Sequence, residues 1–206
     1  MKIIDISHVL DNDTPIYPDD YKTTLTISKT IENDCYNAYL LQSGLHTGTH
    51  IDMPMHLIED SKTAADFQLD SFIGNGVILD VRGERTIEMK PEYHEKINKG
   101  DVVLLFTGHD KNYSKAEYFT DYPTVSEELA DFLLSKQIKM LGMDMPAPDY
   151  PPFEVHKKLL RNNIFILENL TNLQSLVGVD SFGVVAFPLK INAEASFTRA
   201  ACMIIE

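Results

Sequence analysis

The most informative segment of the chain reads His46-Thr47-Gly48-Thr49-His50-Ile51-Asp52-Met53-Pro54-Met55-His56. It contains three of the seven histidines of a 206-residue protein. The three histidines and Asp52 all occupy even-numbered positions. Because alternate side chains of an extended backbone share a face, all four would project from the same side. A fully extended segment would nevertheless hold His46 and His56 roughly 33 Å apart at about 3.3 Å per residue. We therefore expect the backbone to bend at Gly48 and Pro54, which are suited to turns.

The side chains of this segment favour a metal site. Imidazole and carboxylate groups together suit zinc, manganese or iron. A carboxylate can bridge two ions whereas an imidazole nitrogen cannot, so Asp52 is the natural bridge. The alternatives are a hydrogen-bonded core histidine for any single member and a solvated loop without function for the whole segment. The density of three histidines and one aspartate weighs against both.

Composition restricts the other possibilities. A chain of 206 residues that is 44% apolar can bury one sizeable core, so we expect a single domain over residues 1–206. A formal charge of −13, without a basic run, disfavours nucleic-acid binding.

The apolar runs are strand-sized and Asp5 interrupts the amino terminus, so neither a membrane span nor a signal peptide is expected. Cys35 and Cys202 are too few and too far apart for a disulfide framework, which favours a cytoplasmic protein.

Short apolar runs alternate with helical patterns, which predicts an α/β domain with a mixed sheet. Four runs are typical of strands buried on both faces at the centre of a sheet: residues 77–81, 102–106, 138–143 and 164–167. Four alternating segments predict further strands: residues 22–29, 38–43, 184–190 and 198–205.

Two helices are predicted between the central strands. Residues 124–137 combine the capping-box spacing of Thr124 and Glu127 with an apolar face. That face consists of Val125, Leu129, Phe132 and Leu133. A second helix after Pro151-Pro152 places His156 on its apolar stripe, so we expect this side chain to point inward. Taken alone, His156 is more simply explained as a core histidine.

Polar residues lie at or just after the carboxyl ends of three central runs, at the edge where open α/β sheets build sites. They are Thr107, Asp144 and Glu168. Taken alone, Glu168 is equally explained as the polar end of a strand. Asp144 and Asp149 are candidate partners for ligand imidazoles, although Asp beside Pro is also ordinary in loops.

The sequence resembles the cyclase-like metal-dependent hydrolases, a family that includes bacterial kynurenine formamidases and isatin hydrolases. Residues 46–56 match all seven fixed positions of the family pattern His-x-Gly-Thr-His-x-Asp-x-Pro-x-His. Further stretches of resemblance are Ser43-Gly44, Gly142-Met143-Asp144-Met145-Pro146, Glu168-Asn169-Leu170 and Pro188-Leu189-Lys190. The resemblance implies a mixed, partly barrel-like central sheet flanked by helices, of the swivelling β/β/α type.

The resemblance also implies a divalent-metal centre, with two zinc ions per subunit or manganese in their place. His46, His50 and Asp52 would hold one ion, and Asp52 would also reach the second. His156 and Glu168 would complete the pair, with Glu168 as another bridge. His56 would be the general acid/base and not a main ligand. This agrees with its position beyond Pro54, where a bend is expected to separate it from the cluster.

The sequence departs from the formamidase pattern around the substrate. Tyr17-Pro18 stands where those enzymes carry Trp-Pro, and the chain has no tryptophan. Tyr17 could stack on a flat substrate ring, and the alternative is an aromatic residue that only packs its loop. His109 follows Thr107-Gly108 where a second tryptophan is common. We interpret His109 as a surface histidine, with a pocket residue or an extra ligand as alternatives.

The expected activity is metal-dependent hydrolysis of a small aryl formamide, most concretely N-formylkynurenine to kynurenine and formate in tryptophan breakdown. A metal-activated water would attack while His56 carries the proton. The alternatives are a cyclic amide or lactone hydrolase of the isatin type, a related cyclase or dehydratase, and a non-catalytic metal-binding module. A Gly-x-Ser-x-Gly elbow is absent, which disfavours a serine hydrolase. The resemblance implies a homodimer or homotetramer with a small-molecule substrate.

Overall fold

A nine-stranded mixed sheet, strongly curled into a half-barrel, carries the fold. The computed structural model describes residues 1–59 and 61–204. Its strands are β1 (Lys2–Asp5), β2 (Thr24–Lys29), β3 (Ala38–Gln42), β4 (His50–Asp52), β5 (Ile73–Asp80), β6 (Thr86–Ile87), β7 (Val102–Phe106), β8 (Thr124–Val125), β9 (Met140–Met143), β10 (Phe165–Glu168), β11 (Gly183–Val185), β12 (Ala195–Phe197) and β13 (Ala201–Ile204). The α-helices are α1 (Ile31–Asp34), α2 (Tyr93–Lys96), α3 (Glu127–Lys136) and α4 (Glu154–Arg161). Short 3₁₀ helices span Pro54–His56, Ala64–Asp66, Leu69–Phe72, His109–Asn112, Ala116–Phe119 and Leu173–Leu176.

The strand order of the large sheet is β1-β13-β11-β5-β7-β9-β10-β4-β12. The four central strands, β5, β7, β9 and β10, run parallel, and the strands outside them pair antiparallel. The predicted mixed α/β sheet is therefore confirmed, and the predicted central runs lie at its centre. β7, β9 and β10 are buried along their whole length. β5 is mostly half-buried, because its outer neighbour β11 pairs only with residues 73–75.

Two apolar clusters fill the two sides of the central strands. Val103 and Leu105 of β7 belong to a cluster with residues of α3 and α4, whereas Leu104 and Phe106 belong to the opposite one. This alternation is the period of two that a strand requires. The second cluster also includes Ile51 of β4, whose side chain is fully buried. The core thus fixes β4, the strand at the centre of the histidine-rich segment.

The two predicted helices form, with one corrected boundary. α3 begins after Ser126, whose side chain accepts a hydrogen bond from the Leu129 backbone, so the predicted capping box of Thr124 is wrong. The physical reason is that Thr124 belongs to β8, which pairs with β6. α4 buries His156 as predicted. No helix in the described part of the chain is long and apolar enough to cross a membrane.

The outer predicted strands are shorter than expected or lie apart. β2 and β3 form a separate two-stranded hairpin. Of the predicted strand 184–190, only residues 184 and 185 lie in the sheet, as part of β11. Pro188 cannot donate to a ladder and makes a single bridge to Thr198. β13 begins at Ala201 and is described to Ile204, and position 205 of that prediction lies outside the described residues.

Candidate metal centre

The histidine-rich segment bends at both expected positions. Gly48 has φ +64°, a left-handed conformation that favours glycine. After β4, Pro54 starts a 3₁₀ helix that ends at His56. Between the bends, β4 lies between β10 and β12, and its antiparallel register places Glu168 of β10 directly opposite His50. Residues that are far apart in sequence are therefore brought together by strand pairing.

Three histidines and two carboxylates converge on one point. The Nε2 atom of His50 lies 3.3 Å from Glu168 Oε2 and 3.4 Å from Asp52 Oδ1. The Nε2 atom of His156 lies 3.1 Å from Glu168 Oε1 and 3.5 Å from Asp52 Oδ2. The Nδ1 atom of His46 lies 3.0 Å from Asp52 Oδ1. The structure thus brings together all five residues that the resemblance implies as ligands.

Several atoms of this cluster lack a hydrogen-bond partner among the described residues. These buried atoms are His50 Nε2, Asp52 Oδ1, Asp52 Oδ2, His156 Nε2 and Glu168 Oε1. Unpaired buried polar atoms are costly, and they call for a partner that the polypeptide does not supply. A set of imidazole nitrogens and carboxylate oxygens is the donor set of zinc or manganese. The residues present therefore fit a divalent-metal centre.

Two groups of three residues offer ligand atoms within 4.8 Å of one another. They are His46, Asp52 and His56, and His50, Asp52 and Glu168. Asp52 is shared by both groups, as a bridging carboxylate requires. The first group includes His56, so the expectation that Pro54 separates this residue from the cluster is wrong. The 3₁₀ helix turns the chain back, and the His56 ring centre lies 4.1 Å from that of His46.

Protein acceptors orient two of the imidazole rings. His50 Nδ1 donates to the Gly48 carbonyl oxygen (2.9 Å), and His156 Nδ1 donates to Asp149 Oδ1 (2.9 Å). In each case the proton on Nδ1 leaves Nε2 as the nitrogen that can bind a metal. Of the two aspartates considered in the sequence as partners for ligand imidazoles, Asp149 does accept a hydrogen bond from such a ring. Asp144 does not, because its carboxylate accepts hydrogen bonds from Thr107 and Gly108.

The charges of the cluster shift its pKa values in the metal-free protein. Burial lowers the pKa of His46, but the nearby carboxylates, Asp52 above all, outweigh burial and raise it to about 10. The same balance raises the pKa of His50 to about 9 and the pKa of His156 well above its usual value. Burial raises the pKa of Asp52, but the surrounding histidines outweigh it and hold that pKa well below its usual value. A cation that enters the cluster must displace protons from these histidines.

His56 differs from the other three histidines in its electrostatic surroundings. Burial lowers its pKa, and the nearby His46 and His156 lower it further against the opposing effect of Asp52. The His56 imidazole is consequently neutral at neutral pH and can accept a proton.

The cluster forms one wall of a cavity of about 220 Å³. His46, Asp52, His56, His156 and Glu168 line it, while His50 lies behind them. Three aromatic side chains also line it: Tyr17, Phe119 and Phe153. A larger cavity of about 540 Å³ lies against Thr47 and Thr49 but contains no such cluster of ligand side chains among the described residues. The smaller cavity therefore brings the clustered imidazole and carboxylate groups together with aromatic side chains.

The structure corrects the interpretation of His109 as a surface histidine. Its side chain is buried, its Nε2 donates to the Tyr118 carbonyl oxygen (2.9 Å), and its ring stacks on that of Tyr118. The left-handed Gly108 (φ +73°) begins a 3₁₀ helix that turns His109 inward. His109 therefore contributes to packing and is not one of the clustered ligand candidates.

Two residues of the site were missed in the sequence. Asn169 Nδ2 donates to the Gly48 carbonyl oxygen (3.0 Å), and Asn169 Oδ1 accepts from the Tyr118 hydroxyl (2.7 Å). Asn169 thus helps to hold in place the carbonyl group that orients His50. Asn169 follows Glu168 directly, and its position next to a predicted ligand could have identified it. Glu194 Oε1 lies 3.6 Å from His46 Nε2. No local pattern marks Glu194, which reaches the site because β12 pairs with β4.

Comparison with known proteins gives consistent matches. The family model Cyclase, described as "Putative cyclase", matches residues 4–150. The chain is similar to the kynurenine formamidase of Bacillus mycoides (strain KBAB4), with 33% identity over 205 residues, which cover 96% of this chain and 95% of the relative. It is 32% identical to the kynurenine formamidase of Bacillus anthracis over 208 residues, which cover 97% and 96%. A crystal structure of an isatin hydrolase bound to the product analogue thioisatinate shares the fold, with a TM-score of 0.90, 24% identity and coverage of 100% and 93%.

Proposed function

Because this chain belongs to the cyclase family, we propose that it is a metal-dependent hydrolase of a small aryl formamide, most concretely N-formylkynurenine. The observation that carries the proposal is the set of buried imidazole and carboxylate atoms that face one another and find no hydrogen-bond partner in the described part of the chain. The relatives named kynurenine formamidase support the choice of substrate. The products would be kynurenine and formate.

In this proposal His46, His50, Asp52, His156 and Glu168 hold two divalent ions, zinc or manganese. When bound, such ions polarise a carbonyl oxygen and lower the pKa of a water molecule. Asp52 and Glu168, which are both buried, supply negative charge for the two dications. The Gly48 carbonyl oxygen and the Asp149 carboxylate accept hydrogen bonds from His50 and His156, respectively. These bonds keep both rings in the tautomer that presents Nε2 to a metal.

His56 is proposed to move the proton. The neutral imidazole takes a proton from the attacking water as the C–O bond forms on the formyl carbon. It returns that proton to the nitrogen as the C–N bond breaks, which releases formate and the aryl amine. The lowered pKa of His56 keeps its imidazole neutral, and so available as a base, at neutral pH.

The aromatic side chains of the cavity are proposed to bind the aryl ring. Tyr17 and Phe119 meet edge to face with ring centres 5.8 Å apart, an arrangement that leaves ring faces for a flat substrate. Phe153 lines the same cavity and meets His156 edge to face at 5.6 Å, so an aromatic side chain lies next to a proposed metal ligand.

The test is turnover before and after metal removal. Protein stripped with a chelator should release no formate from N-formylkynurenine, and zinc or manganese should restore the release. Isatin and a simple lactone serve as competing substrates in the same assay. Formate release without metal contradicts the metal-dependent mechanism, and turnover of isatin or the lactone alone assigns the chain to ring opening instead.

We also propose that the chain works as a homodimer or homotetramer in the cytoplasm. The free cysteines Cys35 and Cys202 support a reducing compartment. The hairpin β2–β3 supports self-association, because it exposes large apolar side chains on both faces, including Tyr39 and Leu40.

A further inference from the structure

The imidazole rings of His50 and His156 share one design. Each presents Nε2 to the carboxylates at the centre, and each anchors Nδ1 on an acceptor outside the cluster. The acceptors are the Gly48 carbonyl oxygen and the Asp149 carboxylate. Such outer partners fix the tautomer and the orientation of a metal-binding histidine.

The His46 ring has the reverse orientation. Its Nδ1 faces Asp52 Oδ1 at 3.0 Å, so its Nε2 is the outer nitrogen. The group facing Nε2 is the Glu194 carboxylate, 3.6 Å away, which is the distance of an ion pair and not of a hydrogen bond. Glu194 therefore occupies, for His46, the position that Asp149 occupies for His156.

The backbone holds Glu194 in register with the histidine-rich segment. Its carbonyl oxygen accepts a hydrogen bond from the Met53 backbone (2.9 Å). The next residue, Ala195, pairs with Asp52 where β12 meets β4. The Glu194 side chain itself is 41% exposed, so a substitution there leaves the core intact.

We propose that Glu194 is the positioning residue for His46: its charge keeps the proton on Nε2, so that His46 binds metal through Nδ1 while His50 and His156 bind through Nε2. The proposal rests on the metal centre of the proposed function. It adds Glu194, which precedes β12, to the residues that orient the ligands. It also predicts that His46 binds through a different ring nitrogen from His50 and His156.

The first test measures zinc affinity by competition with a chromophoric chelator. Glu194→Gln removes the charge at nearly constant volume and should weaken zinc binding about 10- to 100-fold, the usual effect of losing an outer partner. Asp149→Asn should weaken it to a similar degree, and Glu194→Asp should weaken it less than Glu194→Gln. Glu88→Gln removes an exposed carboxylate elsewhere and should change nothing. Equal melting temperatures of the metal-free proteins show that the fold is intact.

The second test asks whether Glu194 acts through His46. In a His46→Ala background, Glu194→Gln should have little further effect on zinc affinity, because coupled residues are not additive. Histidine ¹⁵N NMR of the zinc-loaded protein should show His46 bound through Nδ1.

Three outcomes overturn the assignment of Glu194. Unchanged zinc affinity in Glu194→Gln removes its role. Effects that multiply in the double variant show that Glu194 acts independently of His46. Ligation of His46 through Nε2 shows that the proposed tautomer is wrong. An unmodified protein that binds no zinc or manganese would refute the metal centre itself, which is a distinguishable result.

Discussion

Asp52 is the residue on which the cluster depends, because each of its oxygens faces a histidine and neither has a hydrogen-bond partner among the described residues. We expect Asp52→Asn to weaken zinc binding by more than about 100-fold, since losing even an outer partner costs 10- to 100-fold. Elemental analysis and turnover on one preparation measure the effect, with exposed Asp70→Asn as the control. Full metal content in Asp52→Asn would refute a bridging role.

The roles of His46 and His56 separate in paired alanine variants. His46→Ala should bind metal much more weakly, whereas His56→Ala should keep most of its metal and turn over about 10²- to 10⁴-fold more slowly, the range for a positioned acid/base. The close approach of the two rings makes this comparison necessary. Equal metal loss in both variants would make His56 a ligand, and the proton carrier would have to be another residue.

Metal binding should release protons. The metal-free pKa values of His46 and His50, about 10 and about 9, lie above neutrality, so both rings are protonated at pH 7 and must lose a proton to bind. Zinc affinity should therefore rise with pH up to those values and level off above them. Calorimetric titrations at pH 7 in buffers of different ionisation enthalpy measure the released protons, and a heat that is independent of buffer would contradict the expectation.

At the residue level, the sequence identified the clustered side chains but not what surrounds them. The even spacing and the residue types predicted that His46, His50 and Asp52 form one cluster, because both signals lie within a short segment. The burial of His109 depends on its packing against Tyr118 after the turn at Gly108, and the approach of Glu194 depends on the pairing of β12 with β4. Neither contact can be derived from the local sequence.

Among the elements, β4 was the hardest to foresee. It has three residues, too few for a period of two to be recognised, and it is a strand because β10 and β12 supply partners on both sides. The longer runs β7, β9 and β10 were predictable, since continuous apolar sequence is typical of strands covered on both faces. The start of α3 was misplaced because Thr124 and Ser126 both suit an N-cap and pairing with β6 selects between them.

Strand β9 provides a test of packing between elements. A Cβ atom at Gly142 would lie 2.6 Å from Leu104 Cδ2 and 3.0 Å from Leu170 Cδ1. We expect Gly142→Ala to lower the free energy of unfolding by about 1–3 kcal/mol through overpacking. Gly183→Ala in β11 is the matched control, because its Cβ would meet only atoms 3.6 Å away or farther. Denaturant titration measures both, and equal stabilities would contradict tight packing at Gly142.

For the whole molecule, the hairpin β2–β3 stands out because it lies apart from the nine-stranded sheet and exposes large apolar side chains, among them Tyr39 and Leu40. An isolated two-stranded hairpin is marginally stable in water, so we expect a second copy of the chain to cover it. Light scattering should give at least twice the mass of one chain. Leu40→Lys should shift the protein toward the monomer, whereas Thr26→Ser on the same hairpin should not. A monomeric unmodified protein would contradict this expectation.

At the same scale, the alternation of apolar runs and helical patterns predicted the mixed α/β sheet, and the family resemblance correctly added its barrel-like curl. Periodicity alone could not give the curl, because it depends on contacts between distant segments. The separate hairpin β2–β3 was not predicted, because no pattern within one segment shows which strands a hairpin will pair with.

The position of β4 between two late strands has a consequence for the making of this protein. When residues 46–56 are synthesised, the strands that flank β4 in the sheet, β10 and β12, do not yet exist. Pairing across such separations closes long loops and comes late in folding. The proposed metal centre, which also needs His156 and Glu168, can therefore assemble only when nearly the whole chain is available.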